Sequence, residues 1–114
     1  MEFRVPLYIT VVRGKAPKLD VRRVVVHAGV TEIVEDAFRG WTGLEEVVFE
    51  PGSRLERIGN HAFTGTALRE FTAPKGLKEL GEGVFADCKE LKEVKLNEGL
   101  ESIGDGAFQN SGIE

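Results

Sequence analysis

Two histidines, one cysteine and a scatter of hydroxyls and acids are the residues of this chain that could do chemistry. Ser102, His61 and Asp105 are the types of a nucleophile, its general base and the carboxylate that orients the base. Such a trio needs its serine raised on a sharp strand-to-helix elbow. "LESIGD" offers no elbow and sets Ser102 among apolar positions. Cys88, in "FADCKEL", would need exposure and a lowered pKa to act as a thiolate. A free cysteine in an apolar column commonly packs as a small hydrophobe, and Trp41 of "FRGWTGL" holds the same column. His27 and His61 fall in different columns of the pattern described below, so with Cys88 they supply no convergent metal ligands. "GEGVF" and "GDGAF" carry the glycines of a phosphate cradle, yet no lysine follows at the required spacing. These residues predict no cofactor, no metal and no catalytic centre.

The elements that hold them repeat. The units are "VRRVVVHAGVTEIVEDAFRGWTG" (21–43), "LEEVVFEPGSRLERIGNHAFTGTA" (44–67), "LREFTAPKGLKELGEGVFADCKE" (68–90) and "LKEVKLNEGLESIGDGAFQNSG" (91–112). Ile113 opens a fifth. Aligned, they give apolar columns: Val21, Leu44, Leu68 and Leu91; then Val24, Val47, Phe71 and Val94; then Val26, Phe49, Ala73 and Leu96. Further on come Val30, Leu55, Leu77 and Leu100, then Ile33, Ile58, Leu80 and Ile103. Phe38, Phe63, Phe85 and Phe108 close the set, each after a small residue. "LxxVxL" alternates as a strand with one buried face should. Gly29, Pro51, Pro74 and Gly99 end it, proline because it cannot donate to a ladder. A second short extended piece follows, such as "LERI" or "LESI". "GxxAF" then makes a turn or a single turn of helix. Fourteen glycines serve these turns, all but Gly14 between residues 29 and 112. No unit can bury its own apolar face, whereas stacked units can, with strands about 4.8 Å apart in a parallel sheet.

The pattern "LxxVxL…GLxxIGxxAFxxC" over residues 21–113 resembles the BspA-like class of leucine-rich repeats. Four copies keep the phenylalanine, three keep "IG" or "LG" before it, and Pro74 and Cys88 stand where that family often has proline and cysteine. It departs from the longer repeat "LxxLxLxxN" in having no asparagine ladder. The resemblance implies an α/β repeat solenoid, a right-handed leucine-rich-repeat coil. Its parallel sheet would line the concave face, with short helical turns or second short strands on the other side. It also implies a non-enzymatic binding or adhesion module, often at a cell surface. The alternative is an architectural spacer within a larger repeat protein.

On the outward side of the long strands, the columns Arg23, Glu46, Glu70, Glu93 and Val25, Val48, Thr72, Lys95 would form the concave surface. Stacked glutamates about 5 Å apart repel by roughly 1 kcal/mol per pair even in water. Either Arg69, Lys92 and Lys95 neutralise them, or they await a basic or hydrogen-bonding protein. These eight residues are the candidate protein-binding set. Residues 1–20 are read as a capping strand and turn, with Phe3, Val5, Leu7, Ile9 and Val11 alternating and "RGKAPK" turning back. The far end has no such cap, so Leu91, Val94, Leu96, Ile103 and Phe108 would be open there. Either the native chain continues there or another molecule covers that end, and for the isolated chain the simplest closed solution is a two-fold, end-to-end homodimer.

Fifteen basic and nineteen acidic residues give a formal charge of −4, which points away from nucleic-acid backbones. No run reaches the 18 or so apolar residues of a membrane span. "MEFRVPLYITVVRGK" lacks the basic head of a signal peptide. A single cysteine allows no internal disulfide. By default these features fit the cytoplasm, and a fragment of a surface protein would show the same ones.

Overall fold

Alternation followed by a breaker should give short strands, and the computed structural model shows ten among the residues it describes, 2–5, 11–12 and 20–113. They come in pairs, a longer strand followed by a short one. β1 (Glu2–Val5) is followed by β2 (Val11–Val12), β3 (Arg23–Val26) by β4 (Glu32–Ile33), and β5 (Glu46–Phe49) by β6 (Arg57–Ile58). β7 (Glu70–Thr72) and β8 (Glu79–Leu80) form the next pair, β9 (Glu93–Lys95) and β10 (Ser102–Ile103) the last. The short strands make one five-stranded parallel sheet in the order β10-β8-β6-β4-β2. The long strands make β1-β3-β5 and β7-β9, also parallel. The chain is a parallel β-solenoid of about four turns.

The long-strand ladder breaks between β5 and β7. There Phe49 and Phe71 meet edge to face with centroids 6.0 Å apart. One long bond, Arg69 N–H to Glu45 O at 3.4 Å, crosses the gap.

The helical turns expected at "GxxAF" are absent; no helix occurs among the described residues. The reason lies in two left-handed positions per coil. Asp36, His61, Gly83 and Gly106 have φ between 57° and 66°, and Gly40, Gly65, Asp87 and Asn110 between 57° and 78°. L-residues do not propagate a helix through that region. Instead the turn sends alternate amides to the next coil. Asp36, Phe38 and Gly40 donate to the carbonyls of Asn60, Ala62 and Thr64 at 3.0, 2.8 and 2.9 Å. His61, Phe63 and Gly65 do the same to Glu82, Val84 and Ala86. A helix would have used these amides within one coil. The other form expected for this side, second short strands, is what the chain adopts.

The core lies between the long strands and the short-strand sheet, and under the turns. Leu44, Leu55, Ile58, Leu68, Leu77, Leu80 and Leu91 are buried. Phe38, Phe63, Phe85 and Phe108 stack in sequence with centroids 5.3, 5.8 and 5.5 Å apart and rings within 14° of parallel. Trp41 meets Phe38 edge to face at 4.7 Å. Coils pack this closely because of glycine. A Cβ on Gly59 would lie 2.6 Å from the Glu35 amide nitrogen, and one on Gly104 2.5 Å from that of Glu82. At the N-terminal end, the run read as one capping strand supplies a strand to the β1-β3-β5 sheet and another to the short-strand sheet. β1 pairs with β3 and β2 with β4. Leu7 and Ile9, with the turn at 13–18, lie outside the described residues.

Candidate functional site

Each long strand presents alternate residues outward, so the candidate set lies on one face of the odd-numbered strands. Register aligns Glu2, Arg23 and Glu46 across β1, β3 and β5, and Glu70 with Glu93 across β7 and β9. The two halves of this column differ in charge balance. Arg23 holds Glu2 at 2.7 Å and Glu46 at 3.2 Å. Glu45, in the neighbouring column, is bridged by Arg22 at 3.3 Å and Arg69 at 3.5 Å. Arg69 is therefore committed to Glu45 and not to the outward column it was expected to neutralise. Glu70 and Glu93 are exposed, adjacent in register, and without an ion-pair partner among the described residues. Beside them Thr72 and Lys95, also exposed, are in register with each other.

The apolar part of the set is corrected. Val25 was expected on the open surface and is only 6% exposed. It sits in the middle strand of three, in register with Arg4 and Val48, so a strand flanks it on each side. Val48 is half-buried. The exposed members of the set are thus Arg23, Glu46, Glu70, Thr72, Glu93 and Lys95, all of them polar.

Chemistry-bearing residues elsewhere are tied to structure. Thr64 Oγ1 donates its only proton to the Gly83 carbonyl at 2.6 Å. His61 Nδ1 lies 3.2 Å from Thr64 Oγ1, and with the hydroxyl proton committed to Gly83 it is the imidazole that donates to Oγ1. The imidazole lies over Gly83, where a Cβ would come within 2.4 Å of its ring. Ser102 is in β10, in register with Glu79, and no hydrogen bond joins it to His61 or Asp105 among the described residues. Cys88 is fully buried and donates to the Phe63 carbonyl at 3.0 Å, with Thr66 Oγ1 3.4 Å away. Burial pushes its thiol above the usual range, against the opposing pull of its bonds to Thr66. Such a thiol is a poor nucleophile at neutral pH. Among the described residues no group of three or more His, Cys, Asp or Glu could hold a metal.

Sequence reasoning missed the asparagines. Asn97 Nδ2 donates to the carbonyls of Lys75 and Leu77 in the preceding coil, at 3.0 and 2.7 Å. Asn60 Oδ1 accepts the Glu82 amide at 2.8 Å. Asn97 lies two residues beyond β9 and could have been recognised as a turn residue able to bond backbone. Its partners, 20 and 22 residues away, are set only by stacking.

The description of the BspA type leucine rich repeat region matches residues 18–114, in six copies. The chain belongs to this family. Among solved structures it is similar to the pneumococcal vaccine antigen PcpA, with 24% identity and a TM-score of 0.86 over 96% of this chain and 32% of that one. A leucine-rich repeat protein from Bacteroides ovatus is similar at 21% identity and a TM-score of 0.72, over 96% of this chain and 34% of that one. A leucine rich cell surface protein from Faecalibacterium prausnitzii is similar at 19% and 0.58, over 98% of this chain and 40% of that one. At these identities the likeness is one of fold. The chain spans about a third of the length of the first two of these structures. No curated protein matches it significantly. Among the described residues no helix is long and apolar enough to cross a membrane.

Proposed function

We propose that this leucine-rich repeat chain is a non-enzymatic binding module that takes a protein partner on the outward face of its long strands. The observation that carries the reading is the contrast within one column. Glu46 is neutralised by Arg23, whereas Glu70 and Glu93 stand in register with no cation on them among the described residues. Like charges directly opposite in a sheet are unfavourable, and a basic partner surface would relieve that cost. Thr72 and Lys95 beside them add a hydroxyl and an ammonium for hydrogen bonding. A surface location fits the same reading, since PcpA is a vaccine antigen and the Faecalibacterium prausnitzii protein is a cell surface protein.

The test compares two charge reversals. One variant carries Glu46→Lys, Glu70→Lys and Glu93→Lys. The other carries Glu56→Lys, Glu79→Lys and Glu101→Lys, three exposed acids associated with the short strands. Partners captured by the wild type should be lost from the first variant and kept by the second. Within the first set, reversal of Glu70 and Glu93 alone should account for most of the loss. Equal loss or equal retention in both variants would remove the reason for naming this face, and a wild type that captures no partner would point to the architectural spacer instead.

A further inference from the structure

Between the repeats at 44–67 and 68–90, two sides of the coil are bonded across and the third is not. On the short-strand side, β6 pairs with β8 at Arg57↔Glu79 and Ile58↔Leu80, and Gly81 N–H extends that ladder to Ile58 O at 2.9 Å. In the turn, His61, Phe63 and Gly65 reach the carbonyls of Glu82, Val84 and Ala86 at 2.8, 3.0 and 3.0 Å. On the long-strand side no pairing joins β5 to β7.

Both ends of that absent ladder differ from their equivalents. Long-strand pairing elsewhere begins with Glu45 N–H to Arg22 O at 2.8 Å and Lys92 N–H to Arg69 O at 2.9 Å. The counterpart here, Arg69 N–H to Glu45 O, is stretched to 3.4 Å. Just past the end of β5, Glu50 N–H reaches back to Val26 O at 3.1 Å. Pro74 holds the equivalent place one coil later, and proline has no N–H to give Phe49 O. The side chains that span the interval are Phe49 and Phe71, edge to face, and one ion pair, Arg69 Nη2 to Glu45 Oε2 at 3.5 Å.

We propose that this junction is a joint in the solenoid. The short strands and the turn are its hinge, and the long strands on either side, β1-β3-β5 and β7-β9, swing as two plates. A bonded hinge facing an unbonded edge opens on one side only, the small-amplitude form of a hinge motion. Glu45 and Arg69 are the latch. The Arg69 side chain is 71% exposed, so salt weakens the pair. The joint falls between Glu46, which Arg23 neutralises, and the unpaired Glu70 and Glu93. Its angle therefore sets the spacing between the two halves of the exposed face. The joint stands whether or not that face takes a partner, so its test is separate from that of the binding module.

Nitroxide pairs on the outward column provide the test. Val48→Cys with Thr72→Cys spans the joint. Thr72→Cys with Lys95→Cys spans the intact β7-β9 ladder, where the two positions are in register. Cys88 is fully buried and takes no label. Spin–spin coupling in frozen solution should give a broader distance distribution for the first pair than for the second. Arg69→Gln should move the first distribution to longer distance and leave the second in place. So should a rise in salt from roughly 0.01 to 1 M, which shortens screening from about 30 to about 3 Å. Pro74→Ala returns an N–H to the ladder and should narrow the first distribution. Equal breadth in the two pairs would overturn the proposal, as would a first pair that Arg69→Gln leaves unchanged. Broadening of both pairs alike by salt would do so as well, since every junction would then move and not this one.

Discussion

Phe63 and Phe85 have no exposed surface, and each is stacked on both sides. Truncation to alanine opens a void that two neighbouring rings border. Phe63→Ala and Phe85→Ala should each cost about 3–5 kcal/mol, read as a loss in chemical-denaturation stability. Phe108→Ala, at a half-buried end of the stack, should cost clearly less. Cys88 gives a second prediction. The folded state raises its pKa through burial, so the folded chain holds the proton longer than the unfolded chain. The thiol's contribution is intact below its unfolded pKa of about 8.5. It is lost as pH climbs from there towards the folded value. The stability difference between wild type and Cys88→Ala should therefore shift against wild type between pH 7 and pH 10. Parallel pH profiles for the two proteins would contradict the burial argument.

At the scale of the element, two glycines of one turn are required for different reasons. Gly59 lacks space, since its Cβ would sit 2.6 Å from the Glu35 nitrogen and 2.9 Å from the Val34 carbonyl carbon. Gly65 has space, its nearest neighbour being 4.0 Å away, but its φ is +75°. Gly59→Ala must push two coils apart and should cost about 1–3 kcal/mol, as overpacking does. Gly65→Ala should cost roughly 1–2 kcal/mol from left-handed backbone alone. Asparagine separates the two mechanisms. The equivalent of Gly65 in the last coil is Asn110 at φ 57°, so Gly65→Asn should recover most of the loss. Gly59→Asn should be worse than Gly59→Ala. Thermal melts of the four variants decide this. The first coil carries Val34 where its successors carry Gly59, Gly81 and Gly104. The glycine is needed where the backbone of a preceding "GxxAF" turn lies against it.

Over the whole molecule, stability is passed from coil to coil, as in other one-dimensional repeat stacks. Amides that bridge two interior coils open only when coils separate, while those on an end need no such event. In dilute solution the amides of Phe63 and Phe85, bonded to Val84 and Ala107, should be among the slowest to exchange. Those of Gly106, Phe108 and Asn110 should exchange close to the rate of an open chain. Uniform protection along the Phe38–Phe108 column would contradict a stack that frays from its end. The phenylalanine column lies at the centre of this behaviour because it is the one aromatic side chain carried by all four coils.

The sequence by itself determined the repeat, its period and most of the core. Apolar spacing is local, and Leu44, Leu68, Ile58 and Phe85 are buried because a strand or turn can point them only one way. It also marked which residues had no chemistry to perform, since Cys88 and Trp41 share a column with packed positions. Tertiary structure decided what depends on the neighbouring coil. The turn is a ladder and not a helix because Ala62, Thr64 and their equivalents supply carbonyls from the next turn of the chain. Val25 is covered because strands flank it on both sides. Arg69 went to Glu45, so Glu70 and Glu93 were left together. Each of these outcomes joins residues about 20 or more positions apart. Local periodicity places such residues on the same side of the coil, but only the stacked backbone sets which donor meets which acceptor.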